Sequence, residues 1–417
     1  MSNVKQILLP KMEEWQQDVF NAMLDSRGTG KRFVVKAKRQ VGKSILAIIL
    51  LIKFSLEQKG ISLLIEPTLA QARRVFKQIV DCLDGSGAIT QANASLLTIQ
   101  FANGSEILFK SCEQNTDALR GFTVSNLCVI DEGAFADSEI YNIVYPTTDA
   151  HNAPILIIST PLFTNGEYYN LYTKGLTPND KVISFDWSKY DTSKYLSHEK
   201  LEFYRETVAP LKFKSEYLGE FIEEGSYTFG NITQCINNND FLIPRYAGID
   251  WGAGNDGDYT AVTLMDDEYN VIKVVSFKNL DAVEQIDRIS TLINSLPSLV
   301  KVQVEMNSIG RVFYDNLKNK VKVHIKKFVT TNETKRKIIE QLIQAFQQQK
   351  ITIPNDAELI KELQHYAIQK TKTGYTYNGE NGVNDDYVIS LALCYDIAIN
   401  SRRIENNMKL NNIISLC

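Results

Sequence analysis

Residue types suited to binding phosphate and divalent metal occur at two distant places in this chain of 417 residues. The first is Ala37-Lys38-Arg39-Gln40-Val41-Gly42-Lys43-Ser44, set between an apolar run ending at Lys36 and an apolar stretch from Ile45 to Phe54. A strand that feeds a tight loop and then a helix aims backbone N–H groups at an anion. In that setting Lys43 would reach the β- and γ-phosphates of ATP and the Ser44 hydroxyl would ligate Mg²⁺. The first glycine of the usual phosphate-loop pattern is Ala37 here. Its complement is Leu127-Cys128-Val129-Ile130-Asp131-Glu132, a strand ending in two carboxylates. Asp131 would hold the Mg²⁺ and Glu132 would polarise the attacking water. A further apolar strand, Ile155 to Ile158, delivers Ser159-Thr160-Pro161 at its C-terminal end, where ligands bind in open α/β sheets. The Ser159 and Thr160 hydroxyls are expected to sense the γ-phosphate. Upstream, the amide of Gln16 is expected to read the adenine edge.

The second place is acidic. Asp250 ends Ala247-Gly248-Ile249, Glu305 ends Val302-Gln303-Val304, and Asp385-Asp386 opens the last apolar helix. An unpaired carboxylate at such a position is costly, so it calls for a cation. Two metals, Mg²⁺ or Mn²⁺, would activate water and stabilise the leaving oxygen of a phosphodiester. Asp250, Glu305 and Asp386 are the candidate catalytic groups, with Asp385 an equally placed ligand. One of the two adjacent aspartates would suffice as a helix N-cap. Asp256 and Asp258, in a glycine-rich loop, read as turn residues beside the site.

The elements that must hold these groups follow from apolar patterning. Phe33-Val34-Val35, Leu63-Leu64-Ile65, Leu127 to Ile130 and Ile155 to Ile158 are continuous apolar strands, as in a parallel sheet covered on both faces. Asn103-Gly104 lies between two short alternating runs and signals a hairpin. The pattern weakens from Lys181 and becomes polar from Asn231 to Asp240, which places a domain boundary there. Beyond it, Tyr246 to Trp251, Thr260 to Met265 and Val271 to Phe277 read as successive antiparallel strands. A helix from Asp281 to Leu296, a strand from Lys301 to Met306 and a last helix from Asp386 to about Asn400 follow. Within that last helix, Ile389, Leu393 and Ile397 form an apolar stripe.

Composition sets outer limits. The length suits two domains. A hydrophobic content of 44% and a charged content of 23% fit a soluble globular chain. With a net charge of -4, contact with nucleic acid must be local; Lys326-Lys327 and Lys335-Arg336-Lys337 are candidates. The six cysteines form no CxxC pair, which speaks against zinc and for a reducing compartment. No signal-peptide core is present near Met1, and the longest apolar run falls short of the roughly 20 residues a membrane helix needs.

These motifs together resemble the large terminase subunit of tailed bacteriophages over nearly the whole chain. Trp15-Gln16 resembles the adenine motif, and Ala37 to Ser44 the family's glycine-poor phosphate loop, with its internal arginine at Arg39. Pro67-Thr68 through Gln71-Ala72, Leu119-Arg120-Gly121 and Ser159-Thr160-Pro161 match the familial layout. Glu216 to Phe221 resembles the segment joining the domains. Gly248-Ile249-Asp250, Glu305-Met306-Asn307 and Asn384-Asp385-Asp386 resemble the acidic nuclease motifs, with Asn384 where a histidine often stands. The resemblance implies an α/β chain: a P-loop ATPase domain with a mostly parallel sheet (residues 1–225, including a linker subdomain from about 181), then a ribonuclease-H-like mixed α/β nuclease domain (240–417). It implies a motor that drives double-stranded DNA into a capsid and cuts concatemers. The portal protein, a small terminase subunit and further copies of the chain in a ring are the implied partners. The implied location is the host cytoplasm, on the procapsid portal. In such a ring Arg39 would act within its own subunit and Arg120 would be an arginine finger across the interface. An ATP-driven helicase-nuclease of repair shares the ATPase motifs, and an assembly protein with decayed sites is the remaining alternative.

Overall fold

The computed structural model describes residues 9–113, 121–237, 242–252, 259–306, 310–371, 374–380 and 382–414, without side chains from residue 403. The chain divides into two compact units, Met1–Tyr204 with Leu211–Glu224 and Lys370–Tyr375, and Arg205–Pro210 with Gly225–Gln369 and Thr376–Cys417. The polar stretch from Asn231, expected between domains, therefore belongs to the second unit up to the last described residue, Asn237. Its backbone explains this: Asn237 N–H donates to the Ile353 carbonyl at 2.9 Å, and the Ile353 N–H donates in return to the Cys235 carbonyl at 2.8 Å.

In the first unit, α1 (Glu14–Leu24) precedes β1 (Arg32–Lys36), α2 (Lys43–Glu57), β2 (Ile61–Glu66), α3 (Leu69–Leu83), β3 (Ile89–Asn93), β4 (Thr98–Phe101) and β5 (Glu106–Ser111). Then come β6 (Leu127–Asp131), α4 (Ser138–Asp149), β7 (Ile155–Ser159), α5 (Gly166–Lys174) and β8 (Val182–Asp186). The strands form one sheet of eight in the order β3-β4-β5-β2-β6-β7-β1-β8. Its run from β5 to β8 is parallel, and β3 and β4 are antiparallel additions at one edge. The buried strands β6 and β7 are apolar at nearly every position because helices cover both faces. Two edge strands escape the apolar pattern, since β3 is mostly exposed and β8 only half-buried, so neither carries a continuous apolar run. The Asn103-Gly104 hairpin forms, with a loop longer than two residues: Phe101 N–H donates to the Ser105 carbonyl, and the Asn103 amide anchors to the Ser55 carbonyl at 2.8 Å.

The chain continues through α6 (His198–Thr207) and α7 (Pro210–Phe213). In the second unit the elements are β9 (Tyr246–Asp250), β10 (Thr260–Met265), β11 (Val271–Phe277), α8 (Ala282–Asn294), β12 (Lys301–Glu305), α9 (Gly310–Lys320), β13 (His324–Phe328), α10 (Asn332–Gln347), α11 (Ala357–Gln364), β14 (Tyr366–Thr371), β15 (Gly374–Gly379) and α12 (Asp386–Ile414). A five-stranded sheet runs β11-β10-β9-β12-β13, with β9 to β11 antiparallel and β12 and β13 parallel to β9. On one face Ala247, Ile249, Val302 and Val304 pack with Ile289 and Ile293 of α8 and Leu317 of α9. The other face takes α12 at very short range. A Cβ on Gly248 would lie 2.1 Å from the Ser390 carbonyl oxygen and 2.4 Å from Cys394 N, so the helix backbone rests on the glycine. The expected stripe of Ile389, Leu393 and Ile397 is buried, yet so are the residues between them; α12 is enclosed on all sides over its first three turns. It also extends to Ile414, well past the expected end near Asn400.

Candidate ATPase and nuclease sites

The phosphate loop joins β1 to α2 and is held in shape from outside. Gly42 has φ +83°, and a Cβ there would meet the Gln16 amide nitrogen at 2.4 Å. Trp15 Nε1 donates to the Val41 carbonyl at 3.2 Å, and Gln16 Nε2 donates to the Gly42 carbonyl at 2.8 Å. Gln16 Oε1 meanwhile accepts from Glu13 N–H at 2.8 Å. Both ends of the Gln16 amide are thus engaged, and the side chain braces the loop. Ala37 replaces glycine without strain: its backbone is not left-handed, its Cβ packs into the core, and its N–H donates to the Ser159 carbonyl at 2.9 Å. Gln40 does adopt a positive φ, +61°. Lys38 turns away from the loop to the Tyr190 carbonyl at 3.1 Å, while Arg39 pairs with Glu216 at 3.0 Å.

The strand order puts β6, β7 and β1 side by side, so their C-terminal ends converge. Ser44 Oγ donates to Asp131 Oδ2 at 3.2 Å, and Lys43 Nζ lies 3.2 Å from Glu132 Oε1. Glu132 sits in a left-handed conformation, φ 49°. Its other oxygen, Oε2, accepts from Ser159 Oγ at 3.1 Å, Thr160 N–H at 3.2 Å and Thr160 Oγ1 at 3.3 Å. The two hydroxyls expected to face the γ-phosphate therefore hold the Glu132 carboxylate. A third carboxyl, Glu66, closes the group at the end of β2; it is buried and is absent from the sequence-based candidates, although it follows the same rule of an acid ending an apolar strand. Burial raises the Glu66 carboxyl well above the usual range, and Asp131 and Glu132 push it the same way. Asp131 is raised by burial and by Glu132, against Lys43 and Ser44. Negative charge in excess of the one ammonium, with a hydroxyl and a carboxylate facing each other, suits Mg²⁺ carried in with ATP. The cleft over this group, about 760 Å³, is lined by Lys11, Gln16, Arg74, Tyr195 and Tyr217 besides the loop itself.

At the second site β9 and β12 are parallel neighbours, with Val304 opposite Ile249, so Asp250 and Glu305 leave the sheet at adjacent ends. Asp250 is buried and its carboxyl is raised well above the usual range, first by burial and then by the neighbouring Glu305 carboxyl; Asp386 and Asp385 add to the shift. Acids gathered in this way repel one another, and a divalent cation relieves that repulsion. Asp386 is the first residue of α12; its Oδ2 accepts from Tyr259 N–H at 2.8 Å. Asp385 supplies the carbonyl that starts the helix, accepting from Ile389 N–H at 2.8 Å. Its side chain is bound by Lys335 Nζ at 2.9 Å. Among the described residues no three ligating side chains close into a ready-made metal cage. Lys335, expected on a basic DNA-facing run, is instead largely buried among these acids, with side-chain exposure of 16%. Lys326 lies 3.8 Å from Asp396, and Lys327 lies over the Tyr314 ring. Glu362 of α11 is a further group that no sequence motif marks. Its Oε2 accepts from Tyr387 and Val388 N–H at 2.9 and 3.1 Å, capping α12 from outside, and burial pushes its carboxyl up to about 9. Arg120, Asp256, Asp258 and Asn307 lie outside the described residues.

The family model described as terminase large subunit, T4likevirus-type, N-terminal, matches residues 36–233, and that of the terminase RNaseH-like domain matches residues 247–396. The chain belongs to the large terminase subunit family. Its curated relatives include the large terminase subunits of Thermus virus P23-45 and Thermus phage G20c, each 23% identical over 88% of this chain and 85% of the relative. Among solved structures, the large terminase of a thermophilic bacteriophage superposes with a TM-score of 0.65 at 16% identity, covering 93% of this chain and 99% of that one. The ADP complex of the same terminase gives 0.62 at 14% identity, covering 92% and 98%. As a large terminase the chain is a DNA-packaging ATPase and nuclease, with a P-loop ATPase fold followed by a ribonuclease-H-like fold. That separates it from a repair helicase-nuclease. No helix among the described residues is long and apolar enough to cross a membrane.

Proposed function

We propose that ATP is hydrolysed at the group Lys43, Ser44, Asp131 and Glu132, and that concatemeric double-stranded DNA is cut at Asp250, Glu305 and Asp386. The observation that carries this reading is the clamp on Glu132: one oxygen is paired with the phosphate-loop lysine, and the other is fixed by Ser159 and Thr160. Phosphate groups arriving on the loop compete for the Lys43 ammonium. Once Lys43 turns to them, Oε1 is released while Oε2 stays held, and Glu132 is left oriented with one free oxygen to accept a proton from water. Asp131 and Ser44 are the residues that would hold Mg²⁺, and Asp250 and Glu305 would hold Mg²⁺ or Mn²⁺. A divalent ion supplies charge neutralisation at the transferring phosphate and acidifies water at the nuclease centre. Arg39 sits on the rim of the same cleft and would serve its own subunit.

The thermophilic bacteriophage terminase binds ADP, and the same ligand class is proposed here. The chain would work as a homo-oligomeric ring on the portal protein, with a small terminase subunit choosing the start of packaging, in the host cytoplasm. Arg120 would act across the ring interface: mixed rings of Arg120→Ala and Glu132→Ala subunits should regain part of their ATPase activity, and a complete lack of rescue at every ratio removes that role. The whole function is tested by combining purified protein, proheads, linear DNA and ATP and scoring DNase-protected DNA.

A further inference from the structure

We propose that Lys278, held over the ring of Tyr259, binds a backbone phosphate of the DNA duplex about three nucleotides from the phosphate cut at Asp250 and Glu305. This rests on the nuclease reading above and adds to it a substrate contact outside the acidic group.

The sheet fixes the placement. Its order β11-β10-β9-β12 brings four positions to one end: Lys278 directly after β11, Tyr259 directly before β10, Asp250 at the end of β9 and Glu305 at the end of β12. The register settles which face they share. Gly248 lies under α12, so Asp250, two residues on, belongs to the same face. Ala261 stands opposite both Asp250 and Ser276. Tyr259 and Lys278 each lie two residues beyond that row and share the α12 face as well. Side-chain contacts agree, since the Ser276 and Tyr387 hydroxyls hydrogen-bond at 2.6 Å, and Tyr387 is in the first turn of α12. Lys278 Nζ sits 3.8 Å from the centre of the Tyr259 ring. Tyr259 is itself fixed: its N–H donates to Asp386 Oδ2 at 2.8 Å, and its ring meets Tyr387 edge-on at 5.5 Å.

Neighbouring strands lie about 4.8 Å apart, so the two steps from β9 to β11 separate Asp250 from Lys278 by roughly 10 Å. Each strand of a duplex advances about 3.4 Å per nucleotide along the axis, which makes that distance about three nucleotides. The acids at the other end of the row repel a phosphodiester, and Lys278 places positive charge where the DNA strand leaves them. Lys326 and Lys335, expected to touch DNA, are paired with Asp396 and Asp385. Lys278 is exposed and rests on a neutral ring. That contact restrains the long side chain, uses one side of the ammonium and leaves N–H donors for phosphate oxygens.

The test follows cleavage of linear duplex DNA by the full chain in Mn²⁺ between about 50 and 200 mM salt. Lys278→Gln should raise KM for DNA several-fold and keep kcat within about twofold of wild type. Losing one phosphate contact should also lower the slope of log KM against log salt by about 0.9. Lys278→Arg keeps the charge and should keep the wild-type slope. Thermal melts report that each variant is folded. An unchanged KM and slope in a folded Lys278→Gln overturns the proposal, as does a fall in kcat at constant KM or a slope lost equally in Lys278→Arg. If Asp250→Asn still cuts the duplex, the nuclease reading itself fails, a result distinct from any of those.

Discussion

Replacing Thr160 by valine removes a single hydroxyl of nearly unchanged shape from the Glu132 clamp. The lost bond is Thr160 Oγ1 to Glu132 Oε2, 3.3 Å, and the Thr160 N–H to the same oxygen, 3.2 Å, remains. A hydrogen bond to a charged group contributes about 1.5–3 kcal/mol. At this length, and with two other donors kept on the oxygen, about 1 kcal/mol is a reasonable share. If the hydroxyl orients the general base, that loss falls on the transition state and lowers kcat about fivefold, since roughly 1.36 kcal/mol is tenfold. KM for ATP should hardly change, because in this arrangement the hydroxyl is bonded to Glu132 and binds the carboxylate in place of the substrate. Steady-state ATPase assays on the full chain with DNA give both constants. A raised KM with kcat intact would refute the argument, because it would put the hydroxyl on the γ-phosphate, as the strand-end position alone suggests.

Gln16 offers a parallel contrast. Gln16→Leu should weaken ATP and GTP binding alike, by several-fold, because the amide braces Gly42; a selective loss of preference for ATP in competition assays would restore the adenine-reading role. Glu362 carries a pH signature. Its carboxyl is up to about 9 in the folded chain against roughly 4.3 in the unfolded chain, so its contribution to stability is fully present below about 4.3 and is lost as pH rises towards 9. Glu362→Gln keeps an acceptor for the α12 amides and removes that slope, so thermal melts in EDTA between about pH 5 and 9 should show a flatter stability profile than the wild type. Equal slopes would show that the carboxyl is not held neutral.

Much of this is legible because the deciding positions combine an apolar strand with a charged end. Asp131, Asp250 and Glu305 each terminate a strand whose burial can be read from residue type alone, and the structure places each at the C-terminal edge of its sheet. Glu66 ends β2 in the same way and is within reach of the same reasoning. Edge strands are not: β8 and β3 are exposed on one side or both, and their residues carry no continuous apolar run. Side-chain direction is also beyond a linear reading. Ser159 and Thr160 lie at the right end of the right strand, yet whether they meet a phosphate or Glu132 depends on the left-handed turn at Glu132, which a glutamate seldom adopts. Lys335 shows the same limit, since its place in a run of three basic residues suggests a solvated face, and only the packing of α10 beside α12 turns it to Asp385.

The central claim is that two chemically separate centres serve one packaging machine. Glu132→Gln and Asp250→Asn, compared in the prohead assay with a concatemeric substrate and with a linear one, test it most directly. Glu132→Gln should lose ATP turnover and DNase-protected DNA while still nicking plasmid in Mn²⁺. Asp250→Asn should hydrolyse ATP and protect the linear substrate near wild-type levels, but leave the concatemer uncut. Cleavage retained by Asp250→Asn, or packaging retained by Glu132→Gln, would contradict the account.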